Sequence, residues 1–369
     1  MELHEAVVLS LLTGLSRRRL GDRLRRPALA AGPSGRGERV SLGELLRAVA
    51  RRPITAGQID QARAAADVAL ARARQRQIEP LVLGWDSYPR ALEAIVDPPM
   101  ILWSRGCVRP PDADGPARPS VALVGARAAT AYARDVAARL GTDLAGRGVT
   151  VVSGLARGVD VAAHRGALAS AADFCTVAVL GCGVDVAYPR EHAATAEAIA
   201  ARGAIVSEFP PGTPPRPEHF PRRNRVIAGL CSAVVVVEAS ARSGALITAD
   251  YALDQGREVL AVPGPVLSGR NRGAHGLLRD GAKIVEDADD ILEELGLPRA
   301  ARPPTVFLEG GRRDVVLRCM VPGESYELDE LAHESRLEPS VLLSRLLELE
   351  LAGHVRREGP RFGRSASAR

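Results

Sequence analysis

Aromatic residues and lysine are scarce in this chain, and both shortages bear on what it can bind. Aromatic side chains make up 3% of its 369 residues, so a broad platform of stacking rings is not expected. Lys283 is the single lysine, and nearly all positive charge is therefore carried by arginine. Arginine favours forked contacts to phosphate, although a bias toward arginine also follows from genomic base composition. The charge pattern alone leaves both explanations open.

Cysteines and long apolar segments are also few, which excludes several classes of protein. The five cysteines are odd in number and have neither a disulfide-framework pattern nor metal-ligand spacing, which favours a reducing compartment. No apolar stretch is long enough to span a bilayer. The first residues lack the positive n-region and the cleavage site of a signal peptide. The sequence therefore predicts a cytoplasmic protein without a membrane segment.

The length allows two or three domains, and the composition divides the chain into three regions. We predict a helical N-terminal domain over residues 1–80, an α/β domain with a lead-in segment over 81–300, and a third unit over 301–369. Residues 107–119 are rich in proline, glycine and aspartate, which predicts a linker or loop before the main part of the α/β domain.

The first region is rich in helix formers and in arginine. It holds fifteen arginines against eight acidic residues, and helical spacing is found in LHEAVVLSLL and AGQIDQARAAADVALARARQRQI. A loop is expected at 28–39. The segment LLTGLSRRRLGDRL resembles a helix–hairpin–helix, which contacts a DNA backbone through glycine amides, but Ser16 stands where a second glycine would serve. A small helical packing module, for example of the sterile-α-motif type, is the alternative.

From residue 121, short and almost continuously apolar runs alternate with helical stretches. The runs are VALVG, VTVVSG, VAVLG, AIVSE, AVVVVE and EVLAVPG, and AKIVED at 282–287 predicts a further strand. We expect helices at 130–147, 159–171, 191–202, 223–231 and 244–256. Apolar strands separated by helices indicate a buried parallel sheet. The predicted fold class is therefore α/β, with a Rossmann-like, doubly wound and mostly parallel sheet.

The last region predicts three helices followed by a short terminal hairpin. ELDELAHESR and EPSVLLSRLLELE have helix–turn–helix proportions, and the unit resembles a winged helix. Its third helix offers mainly Arg345 among three glutamates, whereas a helix that reads a DNA groove normally carries polar side chains for the bases. Protein contact is therefore a stronger expectation for this unit than DNA binding.

Small residues and arginines follow the predicted strands, which is where ligands of open α/β sheets bind. The strand ends read GAR, SGLARG, GCG, SEF and EASARSG, and several lead into helices whose first N–H groups attract phosphate. Turn geometry explains each glycine alone, but it does not explain why small residues recur at so many strand ends. We call the edge of the sheet that these strand ends form the rim. The rim also carries Arg127, Arg157, Arg190, Arg222, Arg223 and Arg225. This row of donors suggests an extended polyanion rather than one mononucleotide.

Signatures of catalysis and of cofactor binding are missing from the rim. VGARAAT lacks the G-x-G-x-x-G dinucleotide pattern, and no Walker-type phosphate loop occurs. Ser153 lies at a strand–helix turn without the G-x-S-x-G context of a nucleophile. The histidines are isolated, namely His164, His192, His219 and His275. We therefore expect no catalytic residues, no cofactor and no metal.

Six segments between residues 120 and 290 carry the most specific motifs. They are VALVGARAAT, VVSGLARGVDVAAHRGAL, VLGCGVDVAYPREH, FPRRNRVIAGL, EASARSGALITADYALDQGREVLAVPG and RGAHGLLRDGAKIV. In this order they resemble the signature blocks of the DprA/Smf family, the DNA-processing proteins of natural transformation. WDSYPRALEAIVDPPMILWSRG (85–106) resembles the family's lead-in segment, and the terminal unit resembles its winged helix.

This resemblance implies a function. In the family, the Rossmann-like domain binds single-stranded DNA, forms homodimers and helps to load the recombinase RecA while displacing single-strand-binding protein. No enzymatic reaction is established for the fold. The apolar helix LITADYALDQ (246–255) is a candidate for the homodimer contact, and covering the sheet is the alternative role for it.

The resemblance also implies a DNA-binding site, carried over position by position. Arg127 matches the basic residue of a G-[SA]-R turn, and residues 220–225 match an F-P-x-R-N-R block. One of Arg223 and Arg225 is alternatively a brace that holds a neighbouring loop through a carboxylate such as Glu208. The implied DNA-binding residues are Arg127, Ser153, Gly154, Arg157, Gly158, Arg190, Arg216, Phe220, Arg222, Arg223, Asn224, Arg225, Ser243 and Gly244. Arginines that contact phosphates and a base stacked on Phe220 would bind single strands with little sequence selectivity.

The chain departs from the family pattern at two places, and two other functions stay open. His275-Gly276 replaces the family's asparagine before LI, and Arg216 is the best match for the basic residue that precedes the phenylalanine. Nucleotide phosphoribohydrolases of the "lonely guy" type share this kind of sheet, but residues 245–249 offer no carboxylate where their catalytic glutamate lies. A protein-interaction scaffold without DNA binding is the third alternative.

Overall fold

The apolar runs of the sequence form the strands of one large sheet, and three further strands form a small second sheet. The computed structural model describes residues 1–13, 15–24, 42–107, 118–298, 314–321 and 324–364. Within these residues the strands are β1 (Glu79–Val82), β2 (Ile101–Gly106), β3 (Ser120–Val124), β4 (Thr150–Ser153), β5 (Thr176–Val179), β6 (Gly203–Ser207), β7 (Ala233–Val236), β8 (Glu258–Ala261), β9 (Lys283–Ile284), β10 (Ser325–Glu327), β11 (Val355–Glu358) and β12 (Arg361–Arg364).

Helices separate most of the strands, as expected for a doubly wound fold. They are α1 (Leu3–Leu11), α2 (Arg17–Leu24), α3 (Leu42–Val49), α4 (Ala56–Gln75), α5 (Arg90–Glu93), α6 (Ala131–Gly146), α7 (Val159–Ala169), α8 (Ala193–Arg202), α9 (His219–Gly229), α10 (Gly244–Asp254), α11 (Arg272–Arg279), α12 (Ala288–Glu294), α13 (Val315–Arg318), α14 (Leu328–Ser335) and α15 (Pro339–Leu351). A 3₁₀ turn at Arg190–His192 precedes α8.

The strand order in the large sheet is β1-β2-β6-β5-β4-β3-β7-β8-β9. All pairings from β6 to β9 are parallel, whereas β1 and β2 pair antiparallel at one edge. The predicted mostly parallel α/β sheet is therefore confirmed. Strand order reverses at β3, which lies between β4 and β7, and this switch point opens a crevice at the carboxyl ends of the strands.

The central strand β3 contributes to a core on each face of the sheet. Ala122 and Val124 face one cluster of buried apolar residues, and Val121 and Leu123 face the other. This alternation explains why the strand is apolar at every position. The first cluster also includes residues of α1, α3 and α4, so the N-terminal helices share a continuous core with the sheet. The predicted boundary at residue 80 falls inside β1 and stays a prediction.

Capping side chains fix the starts of the helices that matter for the rim. Thr130 precedes α6, and its hydroxyl accepts a hydrogen bond from the Ala133 N–H. Ser243 precedes α10 and accepts from the Ala245 N–H. Such caps satisfy N–H groups that have no partner inside the helix. Helix α6 follows β3 and α10 follows β7, so both helices begin beside the rim.

The C-terminal unit has its own apolar core and the elements of a winged helix. Helices α13, α14 and α15 pack with a three-stranded sheet in the order β10-β12-β11. The prediction of three helices and a terminal hairpin is confirmed, with β10 as an additional strand. An ion pair joins this unit to the α/β sheet, because Arg356 Nη1 on β11 lies 3.1 Å from Asp135 Oδ1 on α6.

Three expectations differ from the structure or lie outside it. Helix α9 begins at His219, four residues before the predicted start at residue 223, because Pro221 is tolerated in the first turn of a helix. The strand expected at 282–287 is reduced to Lys283–Ile284. The predicted loop at 28–39 and most of the linker at 107–119 lie outside the described residues.

Candidate functional site

An aromatic pair, one ring exposed and the other half-buried, lies at the rim with an arginine over it. The Arg127 guanidinium carbon lies 5.0 Å from the centroid of the Phe220 ring. The Tyr188 and Phe220 centroids are 5.5 Å apart, and Tyr188 is 40% exposed. Gly181 permits this packing, since a Cβ atom there would lie 3.0 Å from the Phe220 ring. Two rings with a neighbouring cation can hold a base and its phosphate.

Sequence reasoning missed Tyr188, although it stands in a segment that was singled out. The segment VLGCGVDVAYPREH was chosen for Arg190, and nothing in its spacing placed Tyr188 against Phe220, 32 positions later in the chain. The usable signal was the rarity of aromatic residues. Because only five tyrosines and five phenylalanines occur in the whole chain, each one near a strand end merited attention.

A second stack positions the start of α9. The Phe209 and His219 rings are 4.0 Å apart and nearly parallel, and the Arg222 guanidinium carbon lies 5.2 Å from the Phe209 centroid. His219 Nδ1 lies within hydrogen-bond distance of the Gly181 carbonyl oxygen, at 3.0 Å. Phe209 and His219 thus hold the first turn of α9 against the loops after β5 and β6, which fixes Phe220 in place.

The three clustered arginines of α9 differ in face and in burial. Successive helical residues rotate by about 100°, so Arg223 lies on a different face from Arg222 and Arg225, which are neighbours three positions apart. Arg222 remains 41% exposed at its side chain, whereas Arg223 and Arg225 are 4% and 2% exposed. Of the three arginines that lie close together in the sequence, Arg222 is therefore at the surface, and Arg223 and Arg225 are in the interior.

Arg225 forms a buried ion pair at the inner end of this cluster. Its Nη2 atom donates to Glu208 Oε2 at 2.7 Å, and both side chains are 3% exposed. Arg225 also donates to the Asp97 carbonyl oxygen at 2.6 Å, and Arg222 Nη2 donates to the same Glu208 oxygen at 2.8 Å. Arg225 thus ties α9 to the lead-in segment and to the loop after β6, which is the bracing role that the sequence left open for it.

Arg223 lies beneath the loop at 154–158 that follows β4, which we call the glycine-rich loop. Its Nη1 atom donates to the Gly154 carbonyl oxygen at 2.8 Å and to the Val179 carbonyl oxygen. Burial lowers the pKa of Arg223 to about 10, with the neighbouring Arg127 acting in the same direction and Asp160 opposing it. A Cβ atom at Gly154 would displace this guanidinium. Arg223 therefore joins the loop after β4 to the end of β5.

The glycine-rich loop presents backbone and one arginine, but not its serine hydroxyl. Ser153 is fully buried, and its Oγ atom donates to the Leu123 carbonyl oxygen at 2.6 Å. Gly158 adopts a φ of +78° at the start of α7, where a Cβ atom would lie 2.2 Å from the Ala126 carbonyl oxygen. Arg157 is exposed and pairs with Glu191 at 2.5 Å. The loop can thus offer N–H groups and Arg157 to a ligand.

The remaining predicted residues lie around the same rim. Arg190 and Arg216 are exposed. Asn224 Nδ2 donates to the Gly244 carbonyl oxygen at 3.3 Å, so the start of α10 is held to α9. Ser243 serves as the cap of α10. The structure therefore brings the predicted residues to one edge, with Ser153, Arg223 and Arg225 turned into the interior.

Two titratable groups of α7 are buried directly below the glycine-rich loop. Burial raises the pKa of Asp160, and the nearby Arg223 opposes that rise. Burial lowers the pKa of His164 to about 3, and the charges of Arg223 and His192 add to the effect. His164 Nδ1 lies 2.7 Å from Thr176 Oγ1. This layer supports the loop from inside.

The thiol and imidazole groups near the rim, at Cys182, His192 and His275, are engaged structurally. Burial raises the pKa of Cys182 to about 11, so its thiol stays protonated. His192 and His275 each lie 3.0 Å from a backbone carbonyl oxygen. The first turn of α10 (Gly244–Ile247) carries no carboxylate. Within the described ranges, no three His, Cys, Asp or Glu side chains are grouped to hold a metal ion, and no helix has the length and apolarity to cross a bilayer.

Comparison with known proteins places these features in a family. Residues 80–296 match the family model of DNA recombination-mediator protein A, and residues 298–359 match that of the DprA winged helix domain. The chain is 40% identical over 246 residues to protein Smf of Escherichia coli. That match covers 64% of this chain and 65% of the E. coli protein, so it spans just under two thirds of that relative's length.

Two solved structures resemble the chain closely enough to compare. DNA processing protein A of Streptococcus pneumoniae is similar with a TM-score of 0.66 and 32% identity, over 80% of this chain and 99% of that one. DNA processing protein A of Helicobacter pylori, described for its single-stranded DNA binding mode, is similar with a TM-score of 0.52 and 27% identity, over 59% of this chain and 95% of that one.

Proposed function

The chain belongs to the DprA/Smf family, and from that membership we propose that it is a non-catalytic protein that binds single-stranded DNA along the rim. The observation that carries the proposal is the contact of the exposed Arg127 and Tyr188 with the half-buried Phe220. A ring face accepts any base by stacking, and a guanidinium contacts the adjoining phosphate. The binding of single strands by the H. pylori protein supports the same substrate class.

We propose that the accessible arginines supply the phosphate contacts. Each of them has guanidinium N–H groups that reach solvent at the rim, and together they form a row of positive charge. They are Arg127, Arg157, Arg190, Arg216 and Arg222. Backbone N–H groups of the loop at 154–158 and of Gly244, which Ser243 caps at the start of α10, would complete the path.

The buried members of the predicted site take a different role in this proposal. The guanidinium groups of Arg223 and Arg225 donate to carbonyl oxygens and to Glu208. The Ser153 hydroxyl donates to a carbonyl oxygen of β3. These three residues would shape the rim without touching the strand. Asn224 would hold the start of α10 in place through the Gly244 carbonyl.

The proposed cellular role is protection of incoming or processed single strands and loading of the recombinase RecA onto them, with single-strand-binding protein as a further partner. Exposed apolar side chains on α10 support a homodimer, because Leu253 is 60% exposed and Ile247 is 37% exposed. The division into units at residues 1–80, 81–300 and 301–369 is part of the same proposal, with the middle unit carrying the strand.

A titration of oligonucleotides tests the proposal. The full chain should bind a single-stranded oligonucleotide of mixed sequence more tightly than the same sequence as a duplex, because stacking on Phe220 and Tyr188 needs unpaired bases. Arg139→Ala is the matched control, since Arg139 is an exposed arginine in the middle of α6. Equal affinity for both forms, or an equal loss in Arg127→Ala and Arg139→Ala, would contradict the proposal.

A further inference from the structure

An open cleft lies between the sheet and the C-terminal unit, beside the switch point. Its volume is about 690 Å³. The start of α6, the loop after β8 (Pro265–Asn271) and the β11–β12 hairpin line it, and Glu238 at the end of β7 lies in its floor. A cleft of this size is typical of pockets for ligands the size of a nucleotide. None of the residues predicted to bind DNA lines this cleft.

The lining is rich in guanidinium groups. The arginines are Arg134, Arg270, Arg356, Arg361 and Arg364, and the acidic residues are Asp135, Glu238 and Glu324. Each acidic group has a positive or polar partner. Asp135 pairs with Arg356, Glu238 accepts from the Thr130 hydroxyl at 2.6 Å, and Glu324 accepts from the Tyr326 hydroxyl at 2.8 Å. The cleft therefore has an excess of positive charge.

Two of these arginines lie where a strand leaving the rim would pass. Arg270 is exposed and donates to the Ala128 carbonyl oxygen at 2.9 Å, one residue beyond Arg127. Arg356 is 47% exposed at its side chain, and its partner Asp135 is 28% exposed. Exposed ion pairs of this kind contribute little to stability and are screened by salt. A phosphate can therefore take the place of Asp135 on Arg356 without a large cost to the fold.

The cleft also has features suited to a base. Tyr132, in the first turn of α6, is half-buried and is the aromatic side chain among the lining residues. Asn271 is 3% exposed, and its amide oxygen has no hydrogen-bond partner among the described residues. A buried acceptor without a partner is costly, and the N–H groups of a base offer what it lacks. Phosphate alone could not supply such a donor.

We propose that this cleft holds a nucleotide of the same single strand beyond the rim, with Tyr132 stacking on its base and Arg270 and Arg356 contacting its phosphates. The inference rests on the proposed binding of single strands along the rim. The proposal makes the β11–β12 hairpin part of the DNA path. The third helix of the same unit, α15, offers few polar side chains for reading a groove. The strand would also join the C-terminal unit to the sheet more firmly than the ion pair between Arg356 and Asp135 does by itself.

The length dependence of binding tests this inference. The full chain is titrated with oligothymidylates of increasing length, from ones that fit the rim alone to ones that reach the cleft. Tyr132→Ala and Arg356→Ala should bind the short oligonucleotides as the unaltered chain does and should bind the long ones roughly five- to tenfold more weakly. Tyr132→Phe should restore the affinity for long strands, because it keeps the ring.

Arg357→Ala is the matched control for the hairpin. Arg357 is the next residue on β11, but it lies over the Phe362 ring at 5.6 Å and does not line the cleft. It should bind all lengths normally. Unchanged binding of long strands by Tyr132→Ala and Arg356→Ala, while Arg127→Ala is weakened at every length, would overturn this inference and leave the proposed function standing. Weaker binding of duplex but not of single strands by Arg356→Ala would also overturn it. An unaltered chain that binds no single strand would remove the proposed function as well.

Discussion

The exposed and the buried arginines of the rim differ in what their guanidinium groups are bonded to, although they are close in the fold. Arg127 lies over Phe220 at the surface, whereas Arg223 and Arg225 are buried against carbonyl oxygens and Glu208. Residue type gives all three the capacity to bind phosphate. Burial decides which of them has donors left for a ligand. The comparison therefore predicts two separable classes of variant. One class has a lower free energy of unfolding, and the other has a lower affinity for single-stranded DNA.

The largest effect should come from Arg225→Ala. Removing this guanidinium leaves Glu208 buried with Arg222 as a partner at the surface, and breaking a buried pair typically costs about 3–5 kcal/mol in the free energy of unfolding. Urea unfolding measures the loss, and Arg139→Ala should stay within about 0.5 kcal/mol of the unaltered chain. Folded Arg225→Ala protein that is fully stable would show that Arg225 is not a brace.

Arg223→Ala should have the next largest effect. It removes hydrogen bonds to the carbonyl oxygens of Gly154 and Val179 but leaves no buried carboxylate that has lost an ion-pair partner, so we expect a total loss of about 1.5–3 kcal/mol. Thermal unfolding should show a lower midpoint, and Arg223→Lys should recover part of the loss, since an ammonium keeps the charge but not the fork. Complete recovery by lysine would mean that charge alone matters at this position.

The stability that the buried layer below the rim gives to the fold should also depend on pH. The folded chain holds the pKa of His164 at about 3, below its usual value of 6.5. Between these two values the unfolded chain binds the proton and the folded chain does not, so stability falls as pH drops through this window. Near pH 5 the loss attributable to His164 is about 2 kcal/mol.

His164→Gln isolates this contribution. The amide can replace the hydrogen bond to Thr176 but does not titrate. The free energy of unfolding of the variant should therefore depend less on pH between 6.5 and 4 than that of the unaltered chain. Parallel curves for the two proteins would contradict the assignment. Asp160 titrates in both proteins, so its contribution cancels in the difference.

The smallest of these effects should be that of Phe220→Ala, and it should appear in binding alone. The loss of a stacked base costs about 1 kcal/mol, at the lower end for such contacts, because Tyr188 remains beside the site. The dependence of the affinity on salt should not change, because stacking releases no counterions. Fluorescence anisotropy at several salt concentrations measures both quantities. A changed salt slope in Phe220→Ala would indicate that the ring acts by positioning Arg127.

The sequence predicts much of the fold because the central strands are apolar at every position. Runs such as VALVG and AVVVVE can hardly lie anywhere but in the middle of a covered sheet. The edge strands β1 and β2 could not be predicted in the same way, because they pair antiparallel in a segment interrupted by Trp85–Pro89 and its turns. Strand β2 falls within the segment 85–106 that resembles the family's lead-in segment, whereas β1 precedes that segment.

The site is less predictable than the sheet, and α9 shows why. The helix predicted from residue 223 begins at His219 in the structure, with Pro221 in its first turn, so Arg222 also belongs to the helix. The burial of Arg223 follows from the space beside Gly154, a contact between positions 69 residues apart. No local pattern contains that information, although the presence of Glu208 hinted that one arginine would be a brace.

The most direct test of the comparison is the salt dependence of single-strand binding by Arg127→Ala and Arg225→Ala, measured on folded protein. Arg127→Ala should lose about 1.5 kcal/mol of affinity, at the lower end for a charge-assisted contact because the site is exposed. Its slope of log affinity against log salt should become shallower by roughly one unit, because one fewer counterion is released. Arg225→Ala should unfold more easily but keep the slope of the unaltered chain. A shallower slope in Arg225→Ala, or an unchanged slope in Arg127→Ala, would contradict the division between the arginines that bind and those that brace.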